Sequence, residues 1–159
     1  MKPLVIGLGN DLMGDDAIGI LAARSLKGQV SQKADVVESA LHGAALLDIF
    51  IGYRQAIIID AIHTGTCLPG SILDIDPATL GTVVSPSPHF SGLPELQTIA
   101  AELGLDFPKE VRIAAVEVTG SFEIGAPMTP AVAEALGPLV ERVKQILADW
   151  ERTPSAESS

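Results

Sequence analysis

Hydrophobic positions along this chain fall into short blocks whose spacing switches between that of strands and that of helices. Residues 3–8 (PLVIGL) are apolar and partly β-branched and run into Gly7-Leu8-Gly9-Asn10, the pattern of a buried strand entering a turn. Ile18, Leu21, Ala22 and Leu26 then recur at helical spacing, with Asp15 and Asp16 at the opening edge and Gly28 as the expected stop. Val36 and Val37 predict a second strand, and residues 43–50 a second helix closed by Gly52. Residues 56–59 (AIII) form the most strand-like run, which Asp60 is expected to end. A further strand is predicted at 71–75. The ten residues that separate it from Asp60 are too few for a parallel crossover, so the two strands, if neighbours, run antiparallel. A loop rich in Pro, Ser and Thr (76–88), a helix at 93–103 and a strand at 111–118 follow. The last predicted element is one long amphipathic helix over 130–150, with Val132, Leu136, Leu139, Val140, Val143 and Leu147 on a single stripe.

Strands alternating with helices predict an α/β protein, a three-layer α/β/α sandwich around a mostly parallel twisted sheet of about five strands, one of them antiparallel. Residues 1–152 read as one domain and 153–159 as a frayed polar tail. In open sheets of this kind ligands bind in the crevice outside the carboxyl ends of the strands. Asp16 follows the first strand's loop and Asp60 ends another strand, so both are expected at that crevice.

Composition narrows the functions. With 47% hydrophobic residues among 159 and a mean hydropathy of +0.37, the chain has the makings of a packed core, and no apolar run reaches the ~20 residues that span a bilayer. Twenty acidic against ten basic residues leave a net charge of −10, which opposes binding to nucleic acid or to an anionic membrane surface. The single Cys67 excludes an internal disulfide. The opening MKPLVIGLGN carries no long apolar signal segment, from which a cytoplasmic location is expected.

Several residues could carry chemistry. GLGNDLMG suggests a dinucleotide cradle, but Leu12 occupies the third glycine position and two acids stand where a phosphate would lie. Acids at a helix N-terminus repel phosphate and attract a cation. Asp15 suits helix capping, and a second adjacent acid is not needed for that role, which favours a function for Asp16. Asp60 could serve a site or merely close a turn. His89, in SPSPHFSG, is by itself a loop histidine; together with two carboxylates it completes a donor set for a divalent transition metal with positions left open for substrate. Cys67 with nearby His63 could form a nucleophile pair, but neither has an evident orienting partner, and a small hydrophobe in a loop is the simpler role for the cysteine. His42 reads as a surface or interface residue. Elbow serine, zinc-helix and phosphate-loop signatures are absent.

Taken in order, GLGNDLMGDDAIG, the apolar strand IIIDAI, His89 in its loop and EVTGSFEIGAPMTPAV resemble the endopeptidases that mature the large subunit of nickel-iron hydrogenases. The resemblance covers nearly the whole chain. It implies an α/β fold and a selective proteolysis that removes a C-terminal extension from the large-subunit precursor once nickel has been inserted. It further implies that Asp16, Asp60 and His89 contact nickel presented by the substrate, that Asp16 and Asp60 are catalytic, and that no organic cofactor is needed. The expected partner is the precursor, met transiently by a monomer. Two departures stand out: the turn Glu38-Ser39-Ala40-Leu41-His42-Gly43 replaces an Asp-Gly-Gly-Thr-like turn, and Ala17 stands where many members have glycine. Two alternatives compete with a protease, a nucleotide-binding module resting on Gly7 and Gly9, and a chaperone that holds the precursor without cutting it.

Overall fold

The computed structural model describes residues 1–41, 43–78, 92–119 and 124–153. Five strands form one sheet: β1 (Leu4–Leu8), β2 (Asp35–Ser39), β3 (Gln55–Ile62), β4 (Ile72–Ile75) and β5 (Glu110–Glu117), in the order β2-β1-β3-β5-β4. All neighbours are parallel except β4 and β5, which pair antiparallel with Ile72 opposite Val116. The antiparallel strand therefore exists as expected, but its neighbour is β5 rather than β3.

The helices are α1 (Ile18–Val30), α2 (Leu47–Phe50), α3 (Leu93–Leu103), α4 (Pro130–Glu134) and α5 (Leu136–Arg152), with 3-10 turns at Gly14–Ala17 and Gly43–Leu46. They cover both faces of the sheet, giving the three-layer arrangement. Strand alternation explains how. Val5, Ile57, Ile59, Ala114 and Val116 face one cluster with Ile18, Ala22 and Leu26 of α1 and Leu139, Val143 and Ile146 of α5. Leu4, Ile6, Ile58, Ile62, Ile113 and Ala115 face the other, with Phe50 of α2 and Leu93 and Leu96 of α3. Strands buried on both faces read as continuous apolar runs.

Four expectations about the elements need correction. Helix α1 does not stop at Gly28, which is exposed; it continues to Val30, because Val30 buries against the core and repays the extra residues of helix. Asp60 does not end β3: pairing with β5 continues from Asp60 opposite Ala115 to Ile62 opposite Glu117. The backbone of an inner strand still finds its ladder partners beyond a polar side chain. The last helix is not continuous. It breaks at Ala135 because Pro138 lacks the N–H that would reach the Glu134 carbonyl; Ala135 instead donates back to Val132 O at 3.0 Å, and Leu139 restarts the ladder on Ala135 O at 2.9 Å. The predicted stripe survives the break, with Val132, Leu139, Val140, Val143 and Leu147 buried and Leu136 partly so. The fourth correction concerns Asp15 and belongs to the site. Of the predicted tail, only Thr153 is among the described residues, and no helix among them is long and apolar enough to cross a membrane.

Candidate active site

From β1 the chain passes through α1 to β2 on one side, then returns to place β3 on β1's other side. Strand order thus reverses between β1 and β3, and open α/β sheets bind their ligands in the crevice at such a switch point. Pairing of β1 with β3 ends at Gly7 opposite Ile59. Asp60 is therefore the first residue of β3 past that pairing, at the carboxyl side of the switch point.

Glycines bring the other carboxylate there. A side chain on Gly7 would start 2.1 Å from the Gly19 carbonyl oxygen, and one on Gly19 would start 2.3 Å from Leu8 O and 2.5 Å from Ile59 O. A side chain on Gly9 would meet the Asp16 carbonyl oxygen at 2.1 Å. Helix α1 and the turn before it therefore press directly on the ends of β1 and β3. The Asp16 carbonyl oxygen accepts the Asn10 N–H at 3.3 Å, and the Asp16 N–H donates to Met13 O at 3.1 Å, which pins the turn Gly14–Ala17 beside β3. The glycines of the apparent dinucleotide motif are occupied by this helix contact, which leaves no glycine cradle for a phosphate.

Four acids are buried among the described residues, and all four lie at the carboxyl ends of the parallel strands: Asp15 and Asp16 after β1, Asp60 near the end of β3 and Glu117 at the end of β5. A buried carboxylate is costly unless hydrogen bonds or charges hold it. Among the described residues no buried side-chain nitrogen or oxygen lacks a hydrogen-bond partner. Asp60, fully buried, accepts the Ala61 N–H on Oδ1 at 2.8 Å. By alternation Asp60 shares a face of β3 with Ile58 and Ile62, the face on which Leu93 opens α3, four residues after His89 in sequence.

Asp15 does not cap α1. No side chain caps either that helix or the turn before it; Asp15 instead accepts the Thr129 N–H at 2.7 Å and the Thr129 hydroxyl at 2.9 Å, just ahead of α4. The 3-10 turn carries the chain into α1 without an Asp cap, and this frees Asp15 for a partner 114 residues away.

Glu117 was not singled out by the sequence. Its carboxylate accepts the Thr64 N–H at 2.8 Å, the Thr64 hydroxyl, and the Gly65 N–H at 3.4 Å, and so ties the loop after β3 to the end of β5. Its signal was a lone acid inside the apolar run VRIAAVEV. His63 does have orienting partners: Nδ1 lies 2.9 Å from Val118 O and 3.6 Å from Glu117 Oε2. Cys67 is exposed, and its sulfur lies 3.7 Å from the Thr66 hydroxyl, so it is not a packed hydrophobe.

His89 and His42 lie outside the described residues. Among those described, no three His, Cys, Asp or Glu side chains gather as a metal centre would require. Of the unusual segment 38–43, Glu38 belongs to β2 itself and pairs with Arg24, which also binds Asp11 at 3.1 Å. Both acids raise the Arg24 pKa, the hydrogen bonds to Glu38 most of all. Ala17 is buried.

Comparison with known proteins follows the same line. The family model HycI, hydrogenase maturation protease, matches residues 20–146, a span that holds Asp60 and His89 and starts four residues after Asp16. The hydrogenase 2 maturation protease of Escherichia coli is 28% identical over 155 residues, covering 94% of this chain and 92% of that protein. A hydrogenase expression/formation protein HupD of Thiocapsa roseopersicina is 27% identical, covering 92% of this chain and 68% of its own. Among solved structures, the hydrogenase maturating endopeptidase HybD of E. coli superposes with a TM-score of 0.79 at 28% identity over 94% of this chain and 93% of that one. The [NiFe] hydrogenase maturation protease HybD of Thermococcus kodakarensis, at 21% identity, shares the fold with a TM-score of 0.73 over 92% of this chain and 99% of its own. Buried acids at the carboxyl ends of the parallel strands, and a family match across four-fifths of its length, make this chain a member of the hydrogenase maturation protease family.

Proposed function

We propose that this protein removes a C-terminal extension from a [NiFe]-hydrogenase large-subunit precursor after nickel insertion, and that it reads the nickel carried by that substrate through Asp16, Asp60 and His89. The observation that carries the reading is the placement of Asp16 and Asp60 on opposite sides of the β1/β3 switch point, in a chain of this protease family.

Two carboxylates at one crevice repel each other, and a divalent cation brought by the substrate relieves that repulsion. Nickel in the precursor thereby becomes part of the binding energy, and a nickel-free precursor loses it. Selectivity is the difference between those two affinities. In the cleavage step Asp16 and Asp60 act on the scissile peptide. One carboxylate accepts a proton from the attacking water, the C–N bond breaks, and the leaving nitrogen gains a proton. The imidazole of His89 supplies the nitrogen donor of a mixed oxygen and nitrogen set, which suits a divalent transition metal. The enzyme is a monomer that releases its partner after cleavage, and it works in the cytoplasm.

The test is mass spectrometry of nickel-loaded precursor incubated with the protein, with nickel-free precursor as control. Loss of a C-terminal peptide from the loaded form alone is the expected result. Binding without cleavage would instead identify a chaperone.

A further inference from the structure

Residues 12–15 and 124–129, from the loops after β1 and β5, run side by side as a clasp. The Gly125 N–H donates to Leu12 O at 2.7 Å at one end, and Thr129 donates twice to buried Asp15 at the other. Between them, a side chain on Gly14 would begin 3.3 Å from Ala126 O, so the two segments touch backbone to backbone. This construction brings the backbone of Ile124 (83% exposed) up to that of Leu12 (64% exposed), and Leu12 lies in the loop that carries Asp16. Exposed aliphatic side chains fixed on one rim by a hydrogen-bonded clasp suit a contact surface.

The surroundings bear on what covers it. Asp11, beside Leu12, and Glu38 share the single cation of Arg24, which leaves one net negative charge at the patch edge, and the two buried acids of the crevice add to it. Leu12 stands four residues before Asp16, in the loop that leads from β1 to that acid. We propose that Leu12 and Ile124 form the docking surface for an apolar stretch of the precursor polypeptide, with a cationic side chain lying against Asp11. This rests on the protease reading above. The surface differs from the crevice in its chemistry: it grips chain by apolar burial, while the carboxylates read the ion.

Steady-state cleavage of nickel-loaded precursor, together with binding to the immobilised precursor by biolayer interferometry, tests the proposal. Leu12→Ser with Ile124→Ser should raise KM and Kd about tenfold or more, the order expected for uncovering one to two aliphatic side chains, with kcat held. Leu12→Met with Ile124→Leu should restore both constants. Leu103→Ser, equally exposed (65%) but at the opposite end of the strands, should change neither. Asp11→Lys should weaken binding further. Unchanged KM and Kd in the double serine variant, with its melting temperature retained, would overturn the docking surface, as would wild-type protein that fails to bind the precursor at all. Precursor that is bound through this patch but never cut would overturn the protease reading and leave the docking surface standing. An unaltered Kd in Asp11→Lys would remove the cationic contact.

Discussion

The carbonyl oxygen of Gly19 occupies the place where a side chain on Gly7 would begin, 2.1 Å from the ideal Cβ position. A strand and a helix meet there backbone to backbone, and that contact sets where Asp16 stands relative to Asp60. Gly7→Ala should therefore do more than remove a flexible residue. Overpacking against backbone costs about 1–3 kcal/mol and sometimes more. A fall in thermal unfolding temperature, joined by loss of cleavage greater than the unfolded fraction explains, is expected; a melt unchanged from wild type would contradict the packing argument.

Asp60→Asn keeps the size and hydrogen-bonding capacity of the side chain but removes its charge. Cleavage of nickel-loaded precursor should vanish while far-ultraviolet circular dichroism stays native. Full processing by this variant would remove Asp60 from the mechanism.

Thr129→Val deletes one of the two groups that hold Asp15 and leaves the backbone N–H bond in place. Hydrogen bonds to charged groups contribute about 1.5–3 kcal/mol, and an acid left short of partners costs on that scale. Chemical denaturation should show a stability loss near the lower end of that range. Because the clasp also carries Leu12, KM should rise before kcat falls.

Tyr53, the single tyrosine, donates its phenolic O–H to Asp35 at 2.8 Å. Partial burial first, and then the bond to Asp35, push its pKa above 10. A raised folded-state pKa means that the protonated phenol is favoured by folding. That contribution is complete below pH 10 and is lost as pH climbs from there through the folded-state value. Absorbance at 295 nm should give a midpoint above 10 that drops in Asp35→Asn, and a native midpoint at or below 10 would contradict the contact.

Glu117→Gln retains a carbonyl oxygen for the Thr64 and Gly65 amides and neutralises the buried charge near His63. Its fold should persist, whereas Glu117→Ala, which strands those amide donors, should lose about 1–3 kcal/mol of stability. Equal denaturation midpoints for the two variants would show that Glu117 does not hold the loop.

The order of strands and helices was legible in the chain because strands buried on both faces write themselves as apolar runs and a helix packed on one side writes a stripe. Asp16 and Asp60 stand out in the chain because each interrupts such a pattern, and the fold buries both toward the carboxyl ends of the strands. Other features were decided only in three dimensions. Whether Gly7 and Gly9 cradle a phosphate or admit a helix depends on which backbone arrives opposite them, and what arrives is the carbonyl of Gly19 and that of Asp16. Whether Asp15 caps its own helix or binds Thr129 depends on a loop more than a hundred residues away. Local pattern records what each segment must bury; the partner of a polar group or of a missing side chain is set by long-range packing, which no local period encodes.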